Sequence, residues 1–212
     1  MSKNNIFSIL CFLFFINSCT SLPPVAYLDI TTSLYRQAFG YEATEITKEF
    51  YENFEYSFLR AEIGKSKDVI LVLAYVNDNI FEWVSSDEIS IFTKEGRIIK
   101  TKGLPHDIDI TKLRRNLNFL NDENVFYEKI NFSFPALYSA NYVSELYRID
   151  DYSFSTMGKE QIGFRIIETA SISEIGWKVK NEYIYSLSGS PISTVQEIHP
   201  SLPKIRLDYY IK

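Results

Sequence analysis

His106 and His199 are the only imidazoles in the 212 residues, and His106 stands beside Asp107, which could orient it as a base toward a serine. Nothing local marks an activated nucleophile. No GxSxG, HExxH or CxxC pattern occurs, and no two of the eight glycines stand two apart, so there is neither a dinucleotide fingerprint nor a phosphate loop. The expected role of such a histidine is a solvated loop residue. Two carboxylates about 5 to 10 Å apart would suffice for glycoside hydrolysis. Asp87 with Glu88, and Asp107 with Asp109, are the close pairs, but 27 acidic residues make chance pairs common. The expectation is no catalytic residue, no cofactor and no metal, and hence no enzyme.

Recognition chemistry is better represented, with 16 Phe, 15 Tyr and 2 Trp. Phe81 and Trp83 fall on one face of an expected strand, and Tyr183, Tyr185 and Leu187 on one face of another. Such rows stack against sugars, but they more often fill the core of a sheet. The densest set is Trp83, Asp87 and Arg97, an aromatic plane, a carboxylate and a guanidinium within fifteen residues. A tight turn at Lys94-Glu95-Gly96 would bring Arg97 back beside Trp83 and Asp87 if register permits. That rim is the candidate binding surface, for a neutral or weakly charged sugar or for a partner protein. A structural tie at a sheet rim is the alternative.

The elements that must hold these residues are mostly strands. From Ile30 to Phe54 apolar residues recur at three- and four-residue steps, predicting two short helices broken near Gly40, the second starting near Thr47 with a poorly formed cap. The period then becomes two. Expected strands include Tyr56 to Ala61, an unbroken apolar run Val69 to Val76 that reads as buried on both faces, Ile80 to Ser85, and a hairpin Ile89 to Ile99. Gly103 to Asn124 reads as the longest irregular connection, with Leu113, Leu117 and Leu120 as a possible helical turn. Alternation returns at Val125 to Phe134, Tyr142 to Phe154, Ile162 to Ile175, Tyr183 to Leu187 and Ile192 to Ile198. It is clearest in the last strand, where Ile205, Leu207, Tyr209 and Ile211 face one way. About ten strands result, a mainly β fold in which one large antiparallel meander curls into a barrel or half-barrel with a few short helices.

At the N-terminus Lys3 precedes Ile6 to Ile16, an eleven-residue run in which only Ser8 is not clearly apolar. A membrane-spanning helix takes about 20 apolar residues, so the run fits the short hydrophobic region of a secretory signal. It ends in Ile16-Asn17-Ser18-Cys19, which resembles the lipobox of bacterial lipoproteins: a branched apolar residue, a small residue before the cut, then the cysteine that takes lipid. The expected organisation is a signal peptide over 1–18, a tether lipidated at Cys19 over 19–29, and a single β-rich domain over 30–212. Cys11 leaves with the signal, so no thiol remains for disulfides or zinc. Thr20 rather than an aspartate after the cysteine points, by resemblance to lipoprotein sorting, to the outer membrane, with the domain facing the periplasm. Losing Lys3 leaves 21 basic against 27 acidic residues, a formal charge of −6, which argues against nucleic-acid partners.

Longer matches carry a family resemblance. Asp68-Val69-Ile70-Leu71-Val72-Leu73-Ala74 followed by Glu82-Trp83-Val84-Ser85-Ser86-Asp87, then Gly96-Arg97-Ile98-Ile99-Lys100-Thr101-Lys102-Gly103-Leu104, resemble the YjbF (GfcB) lipoprotein family. Asn181-Glu182-Tyr183, Gly189, Gln196 and Pro200 are similar to its closing hairpin and final strand, with Ile184 departing from an expected tryptophan. The resemblance implies capsule or exopolysaccharide secretion, a fold somewhat like the LolA-type lipoprotein carriers, and no known catalytic reaction. Two functions follow as expectations. One is a non-enzymatic accessory lipoprotein that contacts polysaccharide or other secretion-machinery proteins, anchored to the membrane by lipid. The other is a carrier of an apolar ligand, which requires an interior not filled by the protein's own aromatic side chains.

Overall fold

Each strand pairs antiparallel with its neighbours in sequence, and the first pairs with the last, so that twelve strands close into a ring. The computed structural model describes residues 45–113 and 124–212, which belong to one compact unit, 41–212. The signal sequence, Cys19, the tether, the first expected helix and the Leu117 and Leu120 turn lie outside the described residues.

Helix α1 spans Lys48–Asn53, and Thr47 caps it by accepting the Phe50 N–H at 3.1 Å, a better cap than the local sequence suggests. Phe50 and Phe54 of this segment pack on Phe58, whose ring also stacks on Tyr210 with centroids 4.7 Å apart. The helix thus seals an outward-facing phenylalanine that would otherwise meet water.

The meander runs β1 Phe58–Ile63, β2 Val69–Asn77, β3 Ile80–Val84, β4 Ser90–Lys94, β5 Arg97–Lys102 and β6 Ile108–Thr111. It continues as β7 Val125–Phe132, β8 Leu137–Thr156, β9 Lys159–Ile172, β10 Trp177–Ser186, β11 Pro191–Gln196 and β12 Ile205–Tyr210. Three hairpins turn on two successive residues of positive φ: Asp78 and Asn79, Glu95 and Gly96, Met157 and Gly158. That backbone twists with the flanking strands, which is why such turns close tight hairpins.

Three expectations need correction. The connection after Gly103 contains β6, in which Ile108 and Ile110 point inward between polar neighbours. A four-residue strand is too short for its alternation to stand out from a charged surrounding. β8 and β10 each extend well beyond the expected bounds: β10 begins at Trp177, with Trp177, Val179 and Asn181 buried at alternate positions, and the ends of β8 are held by its ladders to β7 and β9. β2 is not buried on both faces: Leu71 is buried, but Tyr75 and Val76 are 71% and 56% exposed. A closed barrel has one inside, so an apolar run on its wall leaves half of its side chains outside.

The interior is full. Trp83, Tyr183, Tyr185, Leu59, Leu71, Ile91, Ile130, Ile166 and Ile205 are all essentially without solvent contact. A ring of eight strands is just filled by side chains, and wider rings leave space. This ring avoids that outcome by flattening. β5 and β11 stand opposite each other in the ring, yet the Gln196 amide of β11 accepts the Ile98 N–H at 2.9 Å and donates to the Gly96 carbonyl at 3.0 Å. The cavity left beside Arg97, Tyr183 and Gln196 is about 10 Å³, room for one water. Outward positions on β1, β10 and β12 carry Arg60, Glu62, Lys178, Lys180, Arg206 and Asp208, where a membrane-spanning barrel presents an apolar band. No helix among the described residues is long and apolar enough to cross a membrane.

Candidate functional site

Trp83, Asp87 and Arg97 do not form a common rim. Trp83 is 1% exposed and points into the barrel, where its indole N–H donates to Thr93 Oγ1 at 2.9 Å and its ring stacks on Phe81. Arg97 is 3% exposed. Asp87 is exposed in the turn before β4, whereas Arg97 follows the turn after β4. Five residues of strand, about 17 Å at 3.4 Å each, therefore separate the two ends. The hairpin turns where expected, but the direction of the strand carries Arg97 away from Asp87.

Arg97 instead organises a buried ionic layer. Its Nη1 donates to Glu128 Oε2 at 2.5 Å, and its Nη2 lies 3.7 Å from Glu168 Oε1. Glu168 also accepts from Asn181 at 2.9 Å and from the Tyr183 hydroxyl at 2.5 Å, while the Arg97 guanidinium lies over the Tyr142 ring. Burial would push the Arg97 guanidinium down, but Glu168 and then Glu128 outweigh it and hold the group well above its ordinary value. Burial, reinforced by Glu168, pushes the Tyr142 phenol up, so it stays neutral. Sequence reasoning missed Glu128 and Glu168. The available signal was their place in the alternation, between Phe126 and Ile130 and between Ile166 and Ala170. Both carboxylates are sealed from solvent, which suits them to holding opposite walls together rather than to meeting a substrate.

The two histidines meet at the opposite end from the Glu95-Gly96 turn. His106 and His199 stack with centroids 4.7 Å apart, and His199 meets Phe132 edge-on. Asp107 does not orient His106: its carboxylate accepts from Thr101 Oγ1, Gly103 N and Leu104 N, and His106 Nδ1 contacts the Phe134 carbonyl. Asp109 is paired with Lys100. Among the described residues, no three His, Cys, Asp or Glu side chains gather as metal ligands would. Burial, aided by His106, lowers the pKa of His199. The unfolded imidazole then takes up a proton at higher pH than the folded one. The stabilisation is complete above the ordinary value of 6.5 and declines as pH falls below it. Chemical denaturation at about pH 7.5 and about pH 5.5 is expected to show a loss of stability at the lower pH that shrinks in His199→Gln. Equal losses in both proteins would clear His199 as the cause.

A groove of about 630 Å³ lies outside the barrel. β8 and β9 run on past the end of β10 as a two-stranded arm whose far half, Tyr152 to Glu160, forms one wall. The other wall is a cross-strand row of outward residues in register: Ile184, Ser193, Asp208 and Arg60. Within that row Arg60 Nη2 and Ser193 Oγ both donate to Asp208, at 2.5 and 2.6 Å. Burial would lower the Arg60 guanidinium, but Asp208 holds it above its ordinary value. The arm bends where its pairing slips between Ile149 and Tyr152, beside Asp151 at φ 53°. It is tied back by Arg165, which pairs with Glu182 at 2.8 Å and stands over the Tyr152 ring. None of the sequence-predicted site residues lines this groove.

The family model described as "Group 4 capsule polysaccharide lipoprotein gfcB, YjbF" matches residues 31–209. The chain belongs to the YjbF family. A curated YjbF-family relative is the "Uncharacterized lipoprotein YjbF" of Escherichia coli (strain K12), 26% identical over 73 residues, a match that spans 34% of each chain. Among solved structures, the hypothetical lipoprotein YmcC from Escherichia coli (K12) superposes with a TM-score of 0.70, covering 87% of this chain and 94% of that one at 15% identity. At that identity the likeness speaks for the fold alone. The mainly β fold of this YjbF-family chain, expected as a meander curled into a barrel or half-barrel, is thus shared with a solved lipoprotein.

Proposed function

We propose that this protein is a non-enzymatic accessory lipoprotein of capsule or exopolysaccharide assembly or export, lipidated at Cys19 and held at the outer membrane facing the periplasm. The observation that carries the reading is the filled barrel. Where described residues line the interior, aromatic and aliphatic side chains are packed and the cavity beside Arg97 is about 10 Å³, which favours the accessory reading over a carrier of a lipid-sized cargo. The family's description as a capsule polysaccharide lipoprotein supports the remaining choice. The outward-facing charges suit a domain that works in water beside a membrane rather than through it, with acyl chains contributing about 0.8 kcal/mol per buried methylene as the anchor. In the producing strain, deletion is expected to lower secreted polysaccharide. Cys19→Ser is expected to remove the protein from the membrane fraction and to fail to restore secretion. Normal secretion in the deletion strain would overturn the accessory role, and a membrane-bound mature protein without lipid at Cys19 would overturn the anchor.

A further inference from the structure

The groove between arm and wall has features that a structural tie does not require. A hairpin that merely capped the sheet would lie flat on it. This one is bent, anchored through Arg165, and stands off far enough to leave about 630 Å³, within the roughly 300–1,000 Å³ of ligand clefts. Its lining is polar but not strongly charged. Asp208 is already paired with Arg60, while Arg206, exposed on β12, lines the groove along with Glu45 and Glu160. Hydroxyls come from both walls, Thr156 from the arm, on the same strand face as Tyr152, and Ser193 from β11. Tyr152 adds an aromatic ring held in place from one side by Arg165. Hydroxyl, carboxylate and guanidinium groups around an oriented aromatic plane match a sugar, which offers many hydroxyls around an apolar ring face. A slight excess of acid disfavours an anionic chain.

We propose that this groove binds a short stretch of a neutral polysaccharide, with Tyr152 against a sugar ring and Arg206 among its hydroxyls. The proposal rests on the accessory reading above and gives it a contact surface. The test uses the purified mature protein and, as probe, oligosaccharides from partial hydrolysis of the producing strain's own secreted polysaccharide, with a hyaluronan hexasaccharide as the anionic comparison, all by titration calorimetry. Binding of the strain's fragments is expected to weaken at least about tenfold in Tyr152→Ala and in Arg206→Ala. It is expected to vanish in Thr156→Trp, which fills the groove from the arm face that carries Tyr152, with melting temperatures unchanged. Absence of binding, equal binding by all variants, or equal binding of hyaluronan would overturn the proposal. Because fragment binding and polysaccharide secretion are separate readouts, groove-dependent binding beside normal secretion in the deletion strain would uphold the groove and sink only the accessory role.

Discussion

Arg97→Ala is expected to cost about 3–5 kcal/mol, the range for removing one partner of a buried ion pair. The reason is stoichiometric. One guanidinium serves two sealed carboxylates, Glu128 and Glu168, so its loss takes the Arg97 charge from both buried acids at once. Domains of this size are stable by only about 5–15 kcal/mol, so the variant should be partly unfolded at physiological temperature. Arg97→Lys should recover little, since a single ammonium cannot replace a planar fork that spans β7 and β9. The triple change Arg97→Met, Glu128→Gln, Glu168→Gln should recover most of the stability, because it leaves no buried charge. Urea denaturation of the four proteins decides the matter. A loss below about 1 kcal/mol in Arg97→Ala would mean that the ionic layer is solvated after all.

Gly163→Ala carries the second large effect, in destabilisation and in the shape of the groove. A Cβ built on Gly163 would stand 2.0 Å from the Tyr185 carbonyl oxygen and 2.9 Å from the Phe154 ring. The first neighbour is the backbone of β10, which cannot rotate away. β9 and β10 must therefore separate where the arm leaves the barrel, at about 3 kcal/mol or more, the upper end of overpacking penalties. Because Phe154 lies on the arm, the displacement also loosens the outer wall of the groove. Thermal denaturation should show the loss, and trypsin should cut faster at Lys159 beside the arm's tip. Unchanged melting with unchanged cleavage would show that the two strands part without cost.

Hairpin geometry and the alternation of single strands were legible because they are local. Glu95-Gly96 accepts positive φ, and Ile205, Leu207 and Tyr209 alternate strictly, so turn and strand follow from a few adjacent residues. The helix start at Thr47 was equally local, and only the quality of its cap required coordinates. The family could be read from scattered short matches, as the match over residues 31–209 bears out. What local pattern lacks is the side of the sheet that becomes the inside. Trp83 and Arg97 look like binding residues until β1 pairs with β12, whose partners lie nearly 150 residues apart, and closes a wall around them. Arg97, Ile98 and Ile99 are all buried in succession because the register slips opposite them between Phe92 and Thr93, which no period of two anticipates.

By itself, then, the amino-acid sequence determined an antiparallel meander and the turns that join it, both properties of neighbouring residues. The tertiary structure alone decided closure into a flattened ring, the burial of Arg97 between Glu128 and Glu168, and the outer groove. Each of these depends on pairings between residues far apart in the chain. The groove's two walls come from β8–β9 and from β1, β10, β11 and β12, and they face each other only once the ring is closed and the arm is bent over it.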